Sequence, residues 1–173
     1  MDAFDSQAPG PVFLQLVERL RAAGIEFRHL HHAPVYTSAE AAAVRGVALH
    51  SGAKALILKA GDAFVMAVLP ADCGLDSGAL RRLLNSKHMR FATKEEVLEV
   101  TGLTPGSIPP FGSLFDLPTL CDTGLADNER INFNAGSHAD SVQMRYVDYL
   151  ALESPRLAVF AKAASGTDGS PVR

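Results

Sequence analysis

One lysine, Lys54, precedes the most apolar strand-like run of the chain, Ala55–Leu58. Because side chains alternate across a β-strand, Lys54 is expected on the same face as Leu56 and Leu58. Lys59 falls on the opposite face, near a turn, where it reaches water easily. An ammonium group beside buried leucines must extend to water or meet an anionic partner, since an unpaired buried charge costs on the order of several kcal/mol. Lys54 is therefore a candidate ligand-binding residue, and a lysine that simply extends into solvent is the alternative.

The segment Gly102–Gly112 is a second candidate for a functional site. It contains three glycines and three prolines in eleven residues, which makes it too rigid and too irregular for a helix or a strand. Glycine lets a ligand approach the main chain closely, so such a loop can direct backbone N–H groups at an anion or a developing oxyanion. Most loops of this composition are only connections between elements, and that alternative stays open here.

Three of the six histidines lie together in the chain, at His29, His31 and His32. His29 and His31 would share one face of a strand and could chelate a metal ion, but no third ligand lies at a recognisable spacing. Exposed histidines, or histidines at the edge of the core, are the simpler explanation.

Composition places the chain among single-domain globular proteins. A length of 173 residues fits one domain, and 47% hydrophobic with 20% charged residues is the usual balance for a soluble protein. The two cysteines, Cys73 and Cys121, match no metal or redox spacing, which indicates reduced thiols in the cytosol. No secretory signal and no apolar run of roughly 20 residues is found, so we expect a cytoplasmic protein without a membrane partner.

The net charge of −3 argues against a protein that coats nucleic acid, because such proteins usually carry a basic surplus. A local basic face is still compatible with this net charge. Five cations lie close together in the sequence and could form such a face, although a solvated helix face explains them equally well. They are Arg81, Arg82, Lys87, Arg90 and Lys94.

Local patterns predict an alternation of helices and strands that is not strict. Helices are expected from Pro11 to Ala23, from the capping box Thr37–Glu40 to Arg45, after Asp76, from the capping box Thr93–Glu96 to Gly102, and for about one turn over 147–152. Strands are expected over 25–31, 55–58 and 63–69 (a hairpin), 90–92, 117–122, 130–134, 141–146 and 156–162.

This mixture of hairpins and helices favours the α+β class, with a mixed or largely antiparallel sheet, or a barrel-like sheet, wrapped by helices. A single domain over residues 11–162 is expected, flanked by flexible tails at residues 1–10 and 163–173.

The common catalytic signatures are absent from the sequence: no Gly-x-Ser-x-Gly elbow, Walker loop, dinucleotide fingerprint or His-Glu-x-x-His motif is found. The chain combines, in this order, a lysine in an apolar strand, a Gly/Pro loop and a strand end rich in Asn, Gly, His and Ser. This combination resembles the YbaK and prolyl-tRNA synthetase associated editing family of aminoacyl-tRNA deacylases, over about residues 12–160. Four pieces in register carry the resemblance: His32-Ala-Pro-Val-Tyr-Thr-Ser-Ala-Glu-Ala-Ala, Gly52-Ala-Lys-Ala-Leu, Thr101-Gly-Leu-Thr-Pro-Gly-Ser-Ile-Pro-Pro-Phe-Gly, and Phe133-Asn-Ala-Gly leading into Ser141-Val-Gln-Met.

The resemblance implies a compact α+β domain with a pocket for the aminoacyl-adenosine end of a mischarged tRNA. Lys54 matches the functional lysine of the family, and Gly106 belongs with Gly102 and Pro105 to the loop that closes over the substrate. We expect Lys54 and Gly106 to serve catalysis, without a cofactor or metal. The positions that match the amino-acid pocket of the family are Thr37, Asn134, Gly136, His138 and Ser141.

Two of these positions differ from a branch of the family. Members that resemble bacterial Cys-tRNA deacylases carry Ser and Asp at the places of Asn134 and Ser141. The missing carboxylate argues against cysteine specificity, so members that clear Ala, Ser or Thr are the better match. A tRNA synthetase or an elongation factor is a candidate protein partner, and the sequence does not indicate the oligomeric state.

An aminoacyl ester is already activated, so its hydrolysis needs a positioned water and a stabilised oxyanion more than a protein nucleophile. Lys54 is expected to hold the end of the substrate and the Gly102–Gly106 loop to face the oxyanion, with the 2′-hydroxyl of the tRNA activating the water. Two alternatives are a non-catalytic module that binds an aminoacyl end or a nucleotide, and a metal-dependent hydrolase. The second would use His29 and His31 with one of three distant histidines, His50, His88 or His138.

Overall fold

The structure, a computed structural model, describes residues 8–164. The helices in this range are Pro11–Ala22 (α1), Ser38–Arg45 (α2), Ser77–Leu83 (α3), Lys94–Thr101 (α4) and Tyr146–Glu153 (α5). The strands are Phe27–His31 (β1), Ala53–Ala60 (β2), Ala63–Pro70 (β3), Cys73–Leu75 (β4), Met89–Phe91 (β5), Thr119–Asp122 (β6), Arg130–Asn134 (β7), Asp140–Arg145 (β8), Arg156–Ala158 (β9) and Ala161–Ala163 (β10). The tails predicted at 1–10 and 163–173 lie for the most part outside the described residues.

Helices α2 and α4 begin with the capping boxes that the sequence predicts. At α2, the Thr37 side chain accepts a hydrogen bond from the Glu40 N–H, and the Glu40 carboxylate accepts one from the Thr37 N–H. Helix α2 ends at Gly46, whose φ of +65° lies in the left-handed region that favours glycine. Helix α4 is built in the same way, from Thr93 to Gly102. These caps fix both ends of the two helices that flank the candidate site.

The larger sheet has five strands in the order β5-β2-β3-β6-β9. The predicted hairpin forms its centre, with β2 and β3 antiparallel and Lys54 opposite Leu69, whereas β6 and β9 add in parallel. On the other side of β2, strand β5 pairs only with Leu58–Ala60. The outer edge of β2 therefore has no strand partner from Lys54 to Ile57.

A three-stranded antiparallel sheet, β1-β8-β7, lies next to the first. Its register places Asn134 opposite Ser141 and Asn132 opposite Gln143, so that one face is polar. The other face carries apolar side chains that join the core with α1, among them Phe133 and three others: Ile131, Val142 and Met144. A parallel bridge between Gly52 and Asn132 joins the two sheets and brings the polar face beside the start of β2.

Two hydrophobic clusters pack on opposite faces of the β2–β3 hairpin. Ala55 and Ile57 belong to the cluster shared with α1, while Leu56 and Leu58 belong to the cluster shared with α3. Alternation along β2 is therefore as the sequence predicts, and Lys54 lies on the Leu56 face.

The prediction of one last strand over 156–162 is wrong. The segment forms two short strands in different sheets, β9 beside β6 and β10 beside β4. The cause is the buried Asp122, whose Oδ2 accepts hydrogen bonds of 2.7 Å from both the Phe160 and the Ala161 N–H and so redirects the chain. The one helical turn expected near residue 147 is a full helix, α5.

The α+β class with mixed sheets is confirmed, and the sheets stay open, so the barrel-like alternative does not apply. Within residues 8–164, no helix has both the length and the apolar character needed to cross a lipid bilayer.

Candidate active site

A cleft opens between α2, the start of β2 and the end of β7, and the space within it, including its open mouth, is about 470 Å³. We call it the Lys54 cleft. It brings together three of the residues that the sequence singles out, Lys54, Gly106 and Asn134. Small side chains line much of the remaining wall: Ala41, Ala42, Ala48, Ala53, Ala55 and Ala71. The cleft is thus narrow and largely apolar, with a few polar groups that converge on it, which is typical of a small-molecule site.

Lys54 is half-buried at the wall of this cleft, and its ammonium donates a hydrogen bond to the backbone carbonyl of Cys73. Cys73 begins β4, directly after the hairpin. The contact fixes the lysine side chain relative to the sheet.

Arg45 is a candidate functional residue that the sequence analysis missed. It lies in the last turn of α2, on the same helical face as the buried Ala41 and Ala42, which precede it by four and three residues. Burial lowers the pKa of its guanidinium to about 10, so the group stays charged at neutral pH. No carboxylate within the described range pairs with it. The sequence signal that could have identified Arg45 is a lone cation that follows two alanines, by three and four residues, on an otherwise apolar helix face.

Neutral groups hold Arg45 instead. Its Nη2 donates to Oδ1 of Asn134 at 2.6 Å, and its Nε donates to Oγ of Ser141 at 2.8 Å. Asn134 in turn donates from Nδ2 to the carbonyl of Gly106 at 2.5 Å. This series of hydrogen bonds connects α2, the polar sheet face and the Gly/Pro loop at the floor of the Lys54 cleft.

Gly106 adopts a φ of +88°, a conformation in the range that favours glycine. It is buried at the cleft wall, and its N–H finds no hydrogen-bond acceptor among residues 8–164. The following residue is fixed on both sides: Ser107 N–H and hydroxyl both donate to the Thr104 carbonyl, and the Gly136 N–H donates to the Ser107 carbonyl. A buried, fixed N–H without a protein acceptor is available to an oxygen of a bound ligand.

Ser141 lies behind Arg45, away from the Lys54 cleft, and is buried. His32 Nδ1 lies 2.8 Å from the Ala33 carbonyl, which makes that nitrogen the donor and leaves Nε2 to accept from the Ser141 hydroxyl at 2.7 Å. Since the Ser141 hydroxyl also accepts from Arg45 Nε, it already takes part in two hydrogen bonds within the protein. The arrangement orients Arg45, and a substrate-binding role for Ser141 stays a prediction.

Pro105 and His138 line a neighbouring groove rather than the Lys54 cleft. His138 contacts the Val35 carbonyl and the Thr104 hydroxyl, both at 3.2 Å, and burial lowers its pKa, which favours the neutral ring at physiological pH. The Tyr36 ring lies 4.8 Å from the His138 ring, centroid to centroid. We call this second concavity the β2 groove, because it runs along the open edge of that strand.

Three further predicted residues have structural contacts and line neither concavity. Thr37 caps α2, and Gly102 ends α4 with a φ of +72°. Gly136 has a φ of +92°, and a Cβ there would approach the Phe13 N–H nitrogen to 3.2 Å. Their predicted substrate contacts are not tested by this geometry and stay predictions.

The histidines do not assemble into the metal centre considered as an alternative. His29 Nε2 and His31 Nδ1 both contact Oδ1 of Asp140, at 2.8 and 3.0 Å. His50 lies elsewhere, with Asp72 at 2.8 Å. Within residues 8–164, the ligand atoms that come close enough to share an ion belong to His50, Asp72 and Cys73, a group that includes neither His29 nor His31.

The fold and the site thus define a small α+β domain with a narrow cleft, whose wall contains a lysine, an arginine and a buried glycine of the Gly/Pro loop. Residues 32–152 match the family described as the aminoacyl-tRNA editing domain, and the chain belongs to that family. It is 34% identical over 155 residues to the multifunctional Ser/Thr-tRNA deacylase ProXp-y of Escherichia coli K12, covering 87% of this chain and 93% of the relative.

Two other similarities extend the comparison. The proline–tRNA ligase of Bacillus licheniformis is 25% identical over 146 residues, which is 84% of this chain and 25% of that enzyme. The crystal structure of a putative trans-editing enzyme for prolyl tRNA synthetase superposes with a TM-score of 0.78 at 24% identity, over 90% of this chain and all of the other. The prediction of a trans-editing aminoacyl-tRNA deacylase, an enzyme that hydrolyses an ester, is confirmed by the family and the E. coli relative.

Proposed function

We propose that this deacylase clears tRNA that carries a small amino acid, namely Ser, Thr or Ala. The observation that supports it is the narrow Lys54 cleft, in which Lys54, Arg45 and the Gly106 N–H converge on space walled by alanines. The E. coli relative, a Ser/Thr-tRNA deacylase by name, agrees with a small polar substrate.

In the proposed reaction, water adds to the ester carbonyl carbon and forms a tetrahedral oxyanion. The bond to the ribose oxygen then breaks, and the products are the free amino acid and a tRNA with its terminal hydroxyl restored. The Gly106 N–H donates to the oxyanion, and the charge of Arg45 stabilises it from the cleft floor. A group that is fixed beforehand does not have to reorganise as charge develops, so the hydrogen bonds of Asn134 to both residues support this assignment.

Lys54 binds the terminal nucleotide in this proposal, through its phosphate or a ribose hydroxyl, and so fixes the ester in the cleft. The 2′- or 3′-hydroxyl next to the ester takes part in activating the water. Two side chains accept hydrogen bonds from Arg45, those of Asn134 and Ser141, and neither is a base at neutral pH. This agrees with a proton acceptor supplied by the substrate.

Selectivity is steric. Alanines from α2, β2 and the turn after β3 set the width of the cleft, and Phe133 and Ile108 close it. A hydrophobic pocket discriminates by only about 1–3 kcal/mol per methylene group, whereas a clash with a larger or cyclic side chain is a stronger barrier. Proline would thus be excluded, and correctly charged Pro-tRNA would be spared.

A synthetase or an elongation factor is the candidate protein partner, and the similarity to part of a proline–tRNA ligase supports the first. The cytoplasm is the proposed compartment, since charged tRNA is found there. One domain over residues 11–162 is the proposed unit of activity.

The decisive experiment offers purified protein a panel of Ser-, Thr-, Ala- and Pro-tRNA, with Lys54→Ala as the test variant and Lys162→Ala as the matched control. Lys162 is exposed on β10 and lines neither the Lys54 cleft nor the β2 groove. We expect release of the first three amino acids, at least about tenfold slower in Lys54→Ala and unchanged in Lys162→Ala. Full activity of Lys54→Ala would end the proposed role, and saturable binding without turnover would indicate a non-catalytic module.

A further inference from the structure

The β2 groove leads away from the Lys54 cleft towards the far end of the hairpin. The two concavities share Ala55 and Ile108 in their walls, so they adjoin each other. From there the groove follows the edge of β2 that has no strand partner, and it ends at Phe91 on β5.

Exposed rings stand along the groove. Tyr36 is 56% exposed and Phe91 is 42% exposed, values that are high for large apolar or aromatic side chains. Leu98 from α4 adds to the same surface at 54%. Exposed aromatic rings in a groove are the usual means of binding unpaired nucleotides, because every base can stack on them. The wall also contains Lys94 and Glu95, whose opposite charges cancel.

Beyond Phe91, a second hollow is lined by cations, and we call it the basic patch. Its lysines and arginines are Lys59, Arg81, Lys87 and Arg90, and the His88 ring also lines it. One carboxylate, Glu96, borders it and pairs with Arg90 at 2.7 Å and with Lys59 at 3.5 Å. Within residues 8–164, the side chains of Arg81 and Lys87 have neither an ion pair nor a hydrogen bond, so the patch is locally positive on an acidic chain.

Strand β2 sets the distance between the two ends of this path. Lys54 at the cleft and Lys59 at the patch are five residues apart on one strand, or about 17 Å at roughly 3.4 Å per residue. A nucleic-acid strand with stacked bases advances by about 3.4 Å per nucleotide, so about five nucleotides cover the same length. This length fits a short unpaired end that continues into the beginning of a helix.

We propose that the β2 groove and the basic patch together bind the acceptor end of the tRNA. The unpaired 3′ nucleotides stack on Tyr36 and Phe91, and the phosphates further along the strand contact Arg81 and Lys87. The proposal rests on the proposed function, because the orientation follows from an ester held in the Lys54 cleft. It explains how an acidic protein binds a polyanion: the contact is confined to one continuous strip.

The test measures binding without turnover, using a tRNA whose seryl group is attached through an amide. A second ligand, the unpaired 3′-terminal trinucleotide with the same amide, lacks the phosphates that would reach the basic patch. Variants are Arg81→Gln and Lys87→Gln for the patch, and Tyr36→Ala for the groove. Tyr36→Phe keeps the ring, and Arg21→Gln, on α1 and outside the cleft, groove and patch, is the charge-matched control.

We expect each patch variant to weaken binding of the full tRNA roughly three- to tenfold, and to lower the slope of log Kd against log salt by about 0.7–0.9. Binding of the trinucleotide stays unchanged in these variants. Tyr36→Ala weakens binding of both ligands, Tyr36→Phe weakens neither, and Arg21→Gln behaves as the wild type.

Two results would overturn the proposal: equal affinity of the patch variants and the wild type for the full tRNA, or an equal loss in Arg21→Gln. Because the ligands are not hydrolysed, a protein that binds along this strip but releases no amino acid would contradict only the proposed function. Conversely, basic-patch variants that hydrolyse mischarged tRNA and bind the full tRNA with the affinity and salt slope of the wild type would contradict only this inference.

Discussion

Arg45 Nη2 and Asn134 Oδ1 are 2.6 Å apart, and this hydrogen bond joins the last turn of α2 to the end of β7. Asn134 uses its other side-chain atom, Nδ2, to hold the Gly106 carbonyl. One amide therefore fixes a half-buried cation and the glycine of the Gly/Pro loop at the same time. Because both partners of Arg45 are neutral, its charge is not cancelled within the described protein and stays available to an anion in the Lys54 cleft.

Replacing the cation of Arg45 is expected to affect activity far more than stability. Arg45→Met keeps most of the side-chain length but removes the charge and the bonds to Asn134 and Ser141. Relief of a buried charge offsets part of those lost bonds, so the free energy of unfolding should change by less than about 2 kcal/mol. We expect kcat/KM for Ser-tRNA to fall at least about tenfold. Thermal denaturation and initial rates check this, with Arg21→Met as the control, and wild-type rates in Arg45→Met would contradict it.

Asn134 allows its two contacts to be separated. Asn134→Asp keeps an acceptor for Arg45 and gives it a carboxylate partner, but it places that carboxylate against the Gly106 carbonyl. Asn134→Ala loses both contacts. We expect both variants to lose at least about tenfold in kcat. Asn134→Ala also lowers the free energy of unfolding by about 1–3 kcal/mol, whereas in Asn134→Asp the ion pair with Arg45 offsets part of the unfavourable contact with the Gly106 carbonyl. An Asn134→Asp enzyme with full activity would show that catalysis does not depend on the hydrogen bond that holds Gly106 in position.

Local signals predicted most of the elements around the site. Capping boxes at Thr37 and Thr93 set the starts of α2 and α4, and alternation of apolar residues placed Lys54 on the correct face of β2. These features depend on neighbours in sequence, so a single sequence is sufficient to find them. The split of the last strand depends on Asp122, some 38 residues earlier, and no local pattern encodes that contact.

Arg45 was missed for a related reason. Its role comes from partners on two other elements, Asn134 and Ser141, which lie 89 and 96 residues further along the chain. A lone arginine near a helix end is usually a solvated residue that complements the helix dipole, and that default concealed it. The resemblance to the editing family identified Lys54, Gly106 and Asn134, and the structure brings these three into one cleft.

His50 makes stability depend on pH. The hydrogen bond to Asp72, at 2.8 Å, raises the pKa of His50 above its ordinary value, and Asp127 adds to the effect. A raised pKa means that the folded state favours the charged ring. The resulting stability is fully present below the ordinary pKa of about 6.5 and is lost as pH rises through the folded-state pKa.

Substitution of His50 should therefore matter more in acid. We expect His50→Gln to lower Tm relative to wild type at about pH 5.5, and the difference to shrink at about pH 8.5. His88→Gln is the control, because the His88 ring has no hydrogen bond or ion pair within residues 8–164. A Tm difference that is the same at both pH values would exclude the His50–Asp72 pair as its source.

Gly106 and Gly61 form a matched pair for testing the loop. Both have positive φ, +88° and +61°, but Gly106 lines the Lys54 cleft, whereas Gly61 lies in the hairpin turn, where an added Cβ would meet open space. An alanine at either position costs about 1–2 kcal/mol of stability, because an L side chain disfavours that backbone conformation. If the Gly106 N–H binds the oxyanion, Gly106→Ala also shifts that donor, and kcat for Ser-tRNA falls at least about tenfold. Gly61→Ala should lose similar stability in chemical denaturation and keep its kcat. Equal activity of the two variants would remove Gly106 from the catalytic step and leave it a purely structural residue.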